Sequence, residues 1–179
     1  MTKLLMAALL ILAGSGSCAD AWACSAANPD CAFSPASYLD AHNKHRARHC
    51  VPALTWDPKL AAQAQAWANG CAFKHAPSTG GAGENLFYMR PEMRAVDSGV
   101  DSWYAEAPRY DYRGTRYLPA AGHFTQVIWK GTKRLGCAVK FCPQLERGVA
   151  FMVCRYSPTG NTTFNGKWGG TENVPPVCR

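Results

Sequence analysis

Of the five histidines in this chain of 179 residues, His75 and His123 fall outside its first helical segment, in loop or loop-to-helix positions. Glu84 follows the stretch Gly81-Ala82-Gly83, and Glu106 closes a helical pattern beside Trp103 and Tyr104. Two imidazoles and two carboxylates brought together would suit a borderline divalent cation such as zinc, or general acid–base chemistry. The four stand far apart in sequence, so no local spacing joins them, and residue type alone favours scattered surface groups. His42, His45 and His49 form a different set, at i, i+3 and i+7 along one helical stripe. Lys44, Arg46 and Arg48 among them would repel a cation, so this stripe reads as packing or a solvated face.

The elements that must position these groups can be read from caps and periodicity. Ser37 is a candidate N-cap for a short basic helix over Tyr38 to His49, with Tyr38, Leu39 and Ala41 on its apolar side. Asp57 caps a second helix and Pro58 fits its first position. Leu60, Ala61, Ala64, Trp67 and Ala68 follow at helical spacing as far as Gly70. Pro77 to Gly83 is a loop, and Glu92 to Ala105 is a third helix that Pro108 ends. Arg109 to Ala121 reads as a loop carrying Tyr110, Tyr112 and Tyr117, followed by a short helix over Phe124 to Trp129. Gly136 to Cys142 and Val149 to Tyr156 alternate as the two strands of a hairpin, and Pro158 to Arg179 is an irregular, Gly-rich tail. The pattern predicts an α+β layered domain.

Composition bounds the class. With 47% hydrophobic and 17% charged residues the chain builds a core, which excludes disorder as a global description, and its formal charge of +7 favours anionic surfaces without choosing one. Residues 1–19 read as a secretory signal, with Lys3, the apolar run Leu4 to Ala13 and a Ser17-Cys18-Ala19 cleavage site. A cysteine-containing leader over 20–36 and a single domain over 37–179 follow, and the protein is expected to be exported. Cleavage removes Cys18 and leaves Cys24, Cys31, Cys50, Cys71, Cys137, Cys142, Cys154 and Cys178. An even set in an exported chain points to four disulfides, each stabilising by about 2–4 kcal/mol. A zinc cluster is the alternative, and the chain has no Cys-x2-Cys pair to support it. Asn161-Thr162-Thr163 is a glycosylation sequon if the source is eukaryotic.

Gly122-His123-Phe124-Thr125-Gln126-Val127-Ile128-Trp129 and Phe151-Met152-Val153-Cys154-Arg155-Tyr156-Ser157-Pro158 resemble the two signature segments of the CAP superfamily. That group comprises cysteine-rich secretory proteins, antigen 5 and pathogenesis-related proteins of group 1. Further matches occur in the family's order, at His42-Asn43-Lys44-His45-Arg46, Leu54-Thr55-Trp56-Asp57, Gly83-Glu84-Asn85-Leu86 and Trp103-Tyr104-x-Glu106. The resemblance covers Tyr38 to Asn161 and is closest in character to the plant and fungal pathogenesis-related type. It implies a three-layer α-β-α sandwich, disulfide-bonded, whose cleft gathers His75, Glu84, Glu106 and His123 as a tetrad that holds zinc or another divalent cation in some members. The plant-type pattern also implies two disulfides, Cys71 with Cys137 and Cys142 with Cys154. Cys24, Cys31, Cys50 and Cys178 would then pair among themselves.

The chain departs from the family where Ala76 replaces the serine that often follows the first tetrad histidine, which removes a candidate nucleophile. By resemblance, the loop before Gly122-His123 is the lipid-contacting segment, here with Tyr110, Tyr112, Tyr117 and Leu118. A tyrosine ring can cover apolar carbons while its hydroxyl stays available to a polar group. Arg109, Arg113 and Arg116 on the same loop would equally meet anionic headgroups. The expected function is therefore a secreted binder of sterol or a fatty-acid-type lipid, acting in defence or host interaction. A membrane surface or a receptor is a further contact, and no nucleic acid is expected. A metal-dependent hydrolase using the His/Glu cleft and a receptor-read signalling module are the alternatives, with no catalytic residue assigned.

Overall fold

The computed structural model describes residues 33–90, 96–145 and 149–178. The export signal, residues 20–32 of the leader with Cys24 and Cys31, and the expected start of the third helix at Glu92 lie outside those residues; residues 35–36 of the expected leader belong to the first helix.

The first helix, α1, spans Pro35–Arg48, one turn earlier than Ser37 would start it. Ser34 is the cap instead: its Oγ accepts from Ser37 N at 3.1 Å, and Pro35 takes a position whose missing N–H costs nothing. The second helix, α2, spans Pro58–Ala68 and starts where Asp57 and Pro58 predict. A third, α3, covers Val96–Tyr104, and a short α4 covers Gly122–Ile128.

Four strands form the sheet: β1 (Thr55–Trp56), β2 (Gly83–Met89), β3 (Arg134–Cys142) and β4 (Val149–Ser157). Their order is β1-β3-β4-β2; β1 runs parallel to β3 and the other pairs are antiparallel. The expected hairpin is thus the centre of the sheet, and β2, which the sequence reading leaves unassigned, adds an edge. Because side chains alternate along a strand, one face of the sheet carries Leu135, Cys137, Val139, Met152, Cys154 and Tyr156 into a core shared with Val100, Trp103, Phe124 and Ile128. The other face carries Ala138, Phe151, Val153 and Leu86 against Ala64 and Ala68 of α2. A Cβ on Gly136 would run into the backbone of Leu60 and Ala61, so that glycine lets α2 lie directly on β3. The result is the expected α-β-α layering.

Two disulfides differ from the pairing the resemblance implies. Cys137 bonds Cys154 and Cys71 bonds Cys142. The register decides it: Cys137 lies directly opposite Cys154 across β3 and β4, whereas Cys142 lies opposite Val149. Cys50 bonds Cys178. The tail is more regular than expected, with a hairpin of β5 (Thr163–Phe164) and β6 (Lys167–Trp168) and a helical turn, α5, over Gly170–Asn173. Buried Trp168 and Val174 fasten it to the core. Among the described residues no helix is long and apolar enough to cross a membrane.

Candidate functional site

The four tetrad side chains form two His–Glu pairs. Glu84 opens the edge strand β2, and its side chain is only 3% exposed. Its Oε1 accepts from His75 Nδ1 at 2.6 Å and from the Ala76 backbone N–H at 3.1 Å. Its Oε2 lies 2.9 Å from Arg155 Nη2, an ion pair bent away from hydrogen-bond geometry. His75 itself projects into solvent from the loop after α2.

Glu106 sits just beyond α3 and is mostly buried. Its Oε1 accepts from His123 Nδ1 at 2.7 Å, and its Oε2 accepts the backbone N–H groups of His123 and Phe124 at 3.0 and 3.2 Å. These are the first free N–H groups of α4, which explains why that helix begins before Phe124: its cap comes from another element. Trp103 stacks beside the His123 ring, with centroids 6.2 Å apart, and is itself fixed by its Nε1–H to Leu86 O at 3.0 Å.

Asn85 links the pairs, because the residue after Glu84 points to the opposite face of β2 and donates to His123 O at 3.2 Å. Asn161 braces the same turn. It has φ 56, accepts from Thr125 Oγ1 at 2.6 Å and donates to Gly122 O at 2.8 Å. Both atoms of the sequon amide are therefore turned inward, a structural use that competes with a glycan on Nδ2. No three of the four tetrad residues bring one ligand atom each within 4.8 Å of one another.

The stripe of three histidines is packing. His42 Nδ1 donates to Tyr38 O at 2.7 Å, which leaves Nε2 to accept from Tyr156 Oη at 2.9 Å. Burial pulls its pKa down to about 3. Cys137 and Cys154 bring sulfur close to this ring, but the two sulfurs are bonded to each other and both ring nitrogens are taken, so the group offers no thiolate to a metal. His45 bonds Asp101, and His49 bonds Tyr104 and Pro175 O, tying α1 to α3 and to the tail. Arg46, which periodicity places off the apolar side, is fully buried. It donates to the carbonyls of Pro52, Val127, Trp129 and Thr132 and so closes the C-terminal end of α4.

The aromatic loop divides. Tyr110 is 7% exposed and packs on Phe124 and Tyr112, so it anchors the loop. Tyr112 and Tyr117 are 40% and 42% exposed, Leu118 is half-buried, and Tyr117 leans on Trp168. A separate cavity of about 380 Å³ lies between α2 and residues 76–80, with Trp67, Pro77 and Arg155 among its walls.

Residues 39–156 match the cysteine-rich secretory protein family, CAP, and the chain belongs to it. It is 39% identical over 146 residues to pathogenesis-related protein 1A1 of Solanum lycopersicum, covering 78% of this chain and 79% of that one. Glioma pathogenesis-related protein 1 of Mus musculus is 36% identical over 147 residues, 74% of this chain and 56% of the relative. The secreted protein RBT4 of Candida albicans is 42% identical over 129 residues, 69% of this chain and 34% of the relative. The chain thus spans about half or less of these animal and yeast relatives. The crystal structure of NaASP2 with Zn2+ shares the fold at a TM-score of 0.62 and 24% identity, covering 72% of this chain and 81% of that one. The Candida albicans relative is named as a secreted protein, and the disulfides of this chain fit an oxidising, extracellular setting.

Proposed function

We propose that this protein is an extracellular binding protein whose cleft takes a divalent cation, zinc by donor chemistry, on His75 and His123. The observation that carries this reading is the repeated use of Nδ1. Each ring gives that nitrogen to a carboxylate, at 2.6 and 2.7 Å, and Nε2 has no protein hydrogen bond among the described residues. A carboxylate only accepts, so Nδ1 carries the proton and Nε2 carries the lone pair that a metal needs. His75 and His123 would hold the ion, with Glu84 and Glu106 orienting them, and a bound zinc supplies a fixed positive centre for an oxygen ligand.

Binding is favoured over hydrolysis because neither carboxylate is free to act as a base. Glu84 is engaged by His75, Ala76 and Arg155, and Glu106 by His123 and two backbone N–H groups. Calorimetric titration of the disulfide-bonded protein with zinc should show binding that His75→Ala and His123→Ala each weaken ~10-fold or more. Affinity unmoved in both variants would overturn the reading.

A sterol or fatty-acid-type lipid is a second reading, supported by the exposed rings of Tyr112 and Tyr117 beside exposed Arg109, Arg113 and Arg116. A fluorescent sterol should bind saturably and lose affinity in Tyr112→Ala and Tyr117→Ala. No saturation, with or without zinc, removes this ligand.

A further inference from the structure

The two His–Glu pairs rest on different supports. Glu106 is held by its histidine and by backbone N–H groups, which any sequence supplies. Glu84 has one backbone donor, Ala76, and its second oxygen faces the guanidinium of Arg155. The sheet makes that contact unavoidable. Glu84 lies directly opposite Arg155 across β2 and β4, and Arg155 lies directly opposite Gly136 across β4 and β3. The row points at α2, whose backbone comes down on Gly136, so the ion pair is roofed over: both side chains are 3% exposed.

A roofed carboxylate needs a counter-charge, and Arg155 is the cation that meets it. The guanidinium is poorly satisfied in return: Nε and Nη1 are buried without a hydrogen-bond partner. For stability alone an apolar pair would serve as well or better at such a place. What the arginine contributes is the fixed direction of Glu84, whose other oxygen carries His75 at 2.6 Å.

We propose that Arg155 is a positioning residue for the His75 half of the cleft: it holds Glu84 from behind, so that Glu84 fixes His75 Nδ1 and turns Nε2 outward. The inference rests on the reading of the cleft as a divalent-cation site, but the orientation of the ring can be read without any ion.

The test combines the ring-nitrogen signals of His75 and His123 in 15N-labelled, ion-free protein at pH 8 with zinc titration of the same samples. In the unsubstituted protein His75 should be a single Nδ1–H tautomer. Arg155→Met should give a mixture of tautomers at His75, leave His123 unchanged, and lower zinc affinity ~10-fold or more. Arg155→Lys, which keeps the charge, should recover most of both. In a Glu84→Gln background Arg155→Met should add no further loss, because its effect runs through Glu84. Unmoved His75 signals in Arg155→Met, or an equal further loss in the Glu84→Gln background, would overturn the proposal. If Arg155→Met does not fold, Arg155→Gln, uncharged and polar, carries the same comparison. A His75 tautomer that responds to Arg155 in a protein that binds no zinc would remove the cation reading and leave the positioning role standing.

Discussion

His42 has no charge in the folded protein, and its surroundings explain why. Burial is the main cause, with the Arg46 cation and any proton on His45 pressing the same way and the Tyr38 carbonyl opposing, and together they bring its pKa from the ordinary 6.5 to about 3. Between those values the unfolded chain holds a proton that the folded protein does not, so stability is complete above pH 6.5 and is lost as pH falls toward 3. The slope for one such group is up to ~1.4 kcal/mol per pH unit. Burial depresses His45 and His49 as well, so they act in the same direction. Urea midpoints measured at pH 7.5, 6 and 5 should decline in that order; equal midpoints would show that His42 is charged when folded. From sequence, the spacing of the three histidines was visible. Their burial was not visible, and neither was that of Arg46, since a polar side chain looks like a surface residue until the carbonyls that satisfy it are known.

At the level of elements, the local signal succeeded for α2 and misplaced the start of α1, where Ser34 rather than Ser37 is the cap. Asp57 and Pro58 start α2 within one turn of backbone, with Asp57 Oδ1 accepting from Lys59 N at 2.9 Å. Local signals also failed where the cap is distant: α4 begins at Gly122 because Glu106 reaches its N–H groups from another element. Disulfide pairing failed for a related reason. Cys137 and Cys154 stand at equal distances from the turn between β3 and β4, and that symmetry was the available clue, but it fixes a pair only once the register is known. The three described bridges also differ in exposure. Cys71, Cys137, Cys142 and Cys154 are buried, whereas Cys50 and Cys178 are exposed. A mild thiol reductant should therefore open Cys50–Cys178 first, and Cys178→Ser should cost ~2–4 kcal/mol of stability. Zinc affinity should stay unchanged, because that bridge clips the tail to α1 rather than supporting either His–Glu pair. Mass mapping that finds Cys137–Cys154 reduced first would contradict this order.

Across the whole molecule, the sheet is the plate that carries the two His–Glu pairs. Its edge strand β2 puts Glu84 on the α2 face and Asn85 on the opposite face, so one pair of consecutive residues reaches both His–Glu pairs. By itself the sequence determined the α+β class, the start of α2 and the central hairpin, and its resemblance to a family singled out His75, Glu84, Glu106 and His123. Those conclusions draw on periodicity, capping and motif, which are short-range properties written along the chain. Only the tertiary structure decided which histidine meets which glutamate, that Tyr110 is an anchor, that Cys71 meets Cys142, and that Arg155 stands behind Glu84. Each of these depends on strand register and on helices laid over the sheet, and such contacts join residues whose separation in sequence carries no trace of their distance in space.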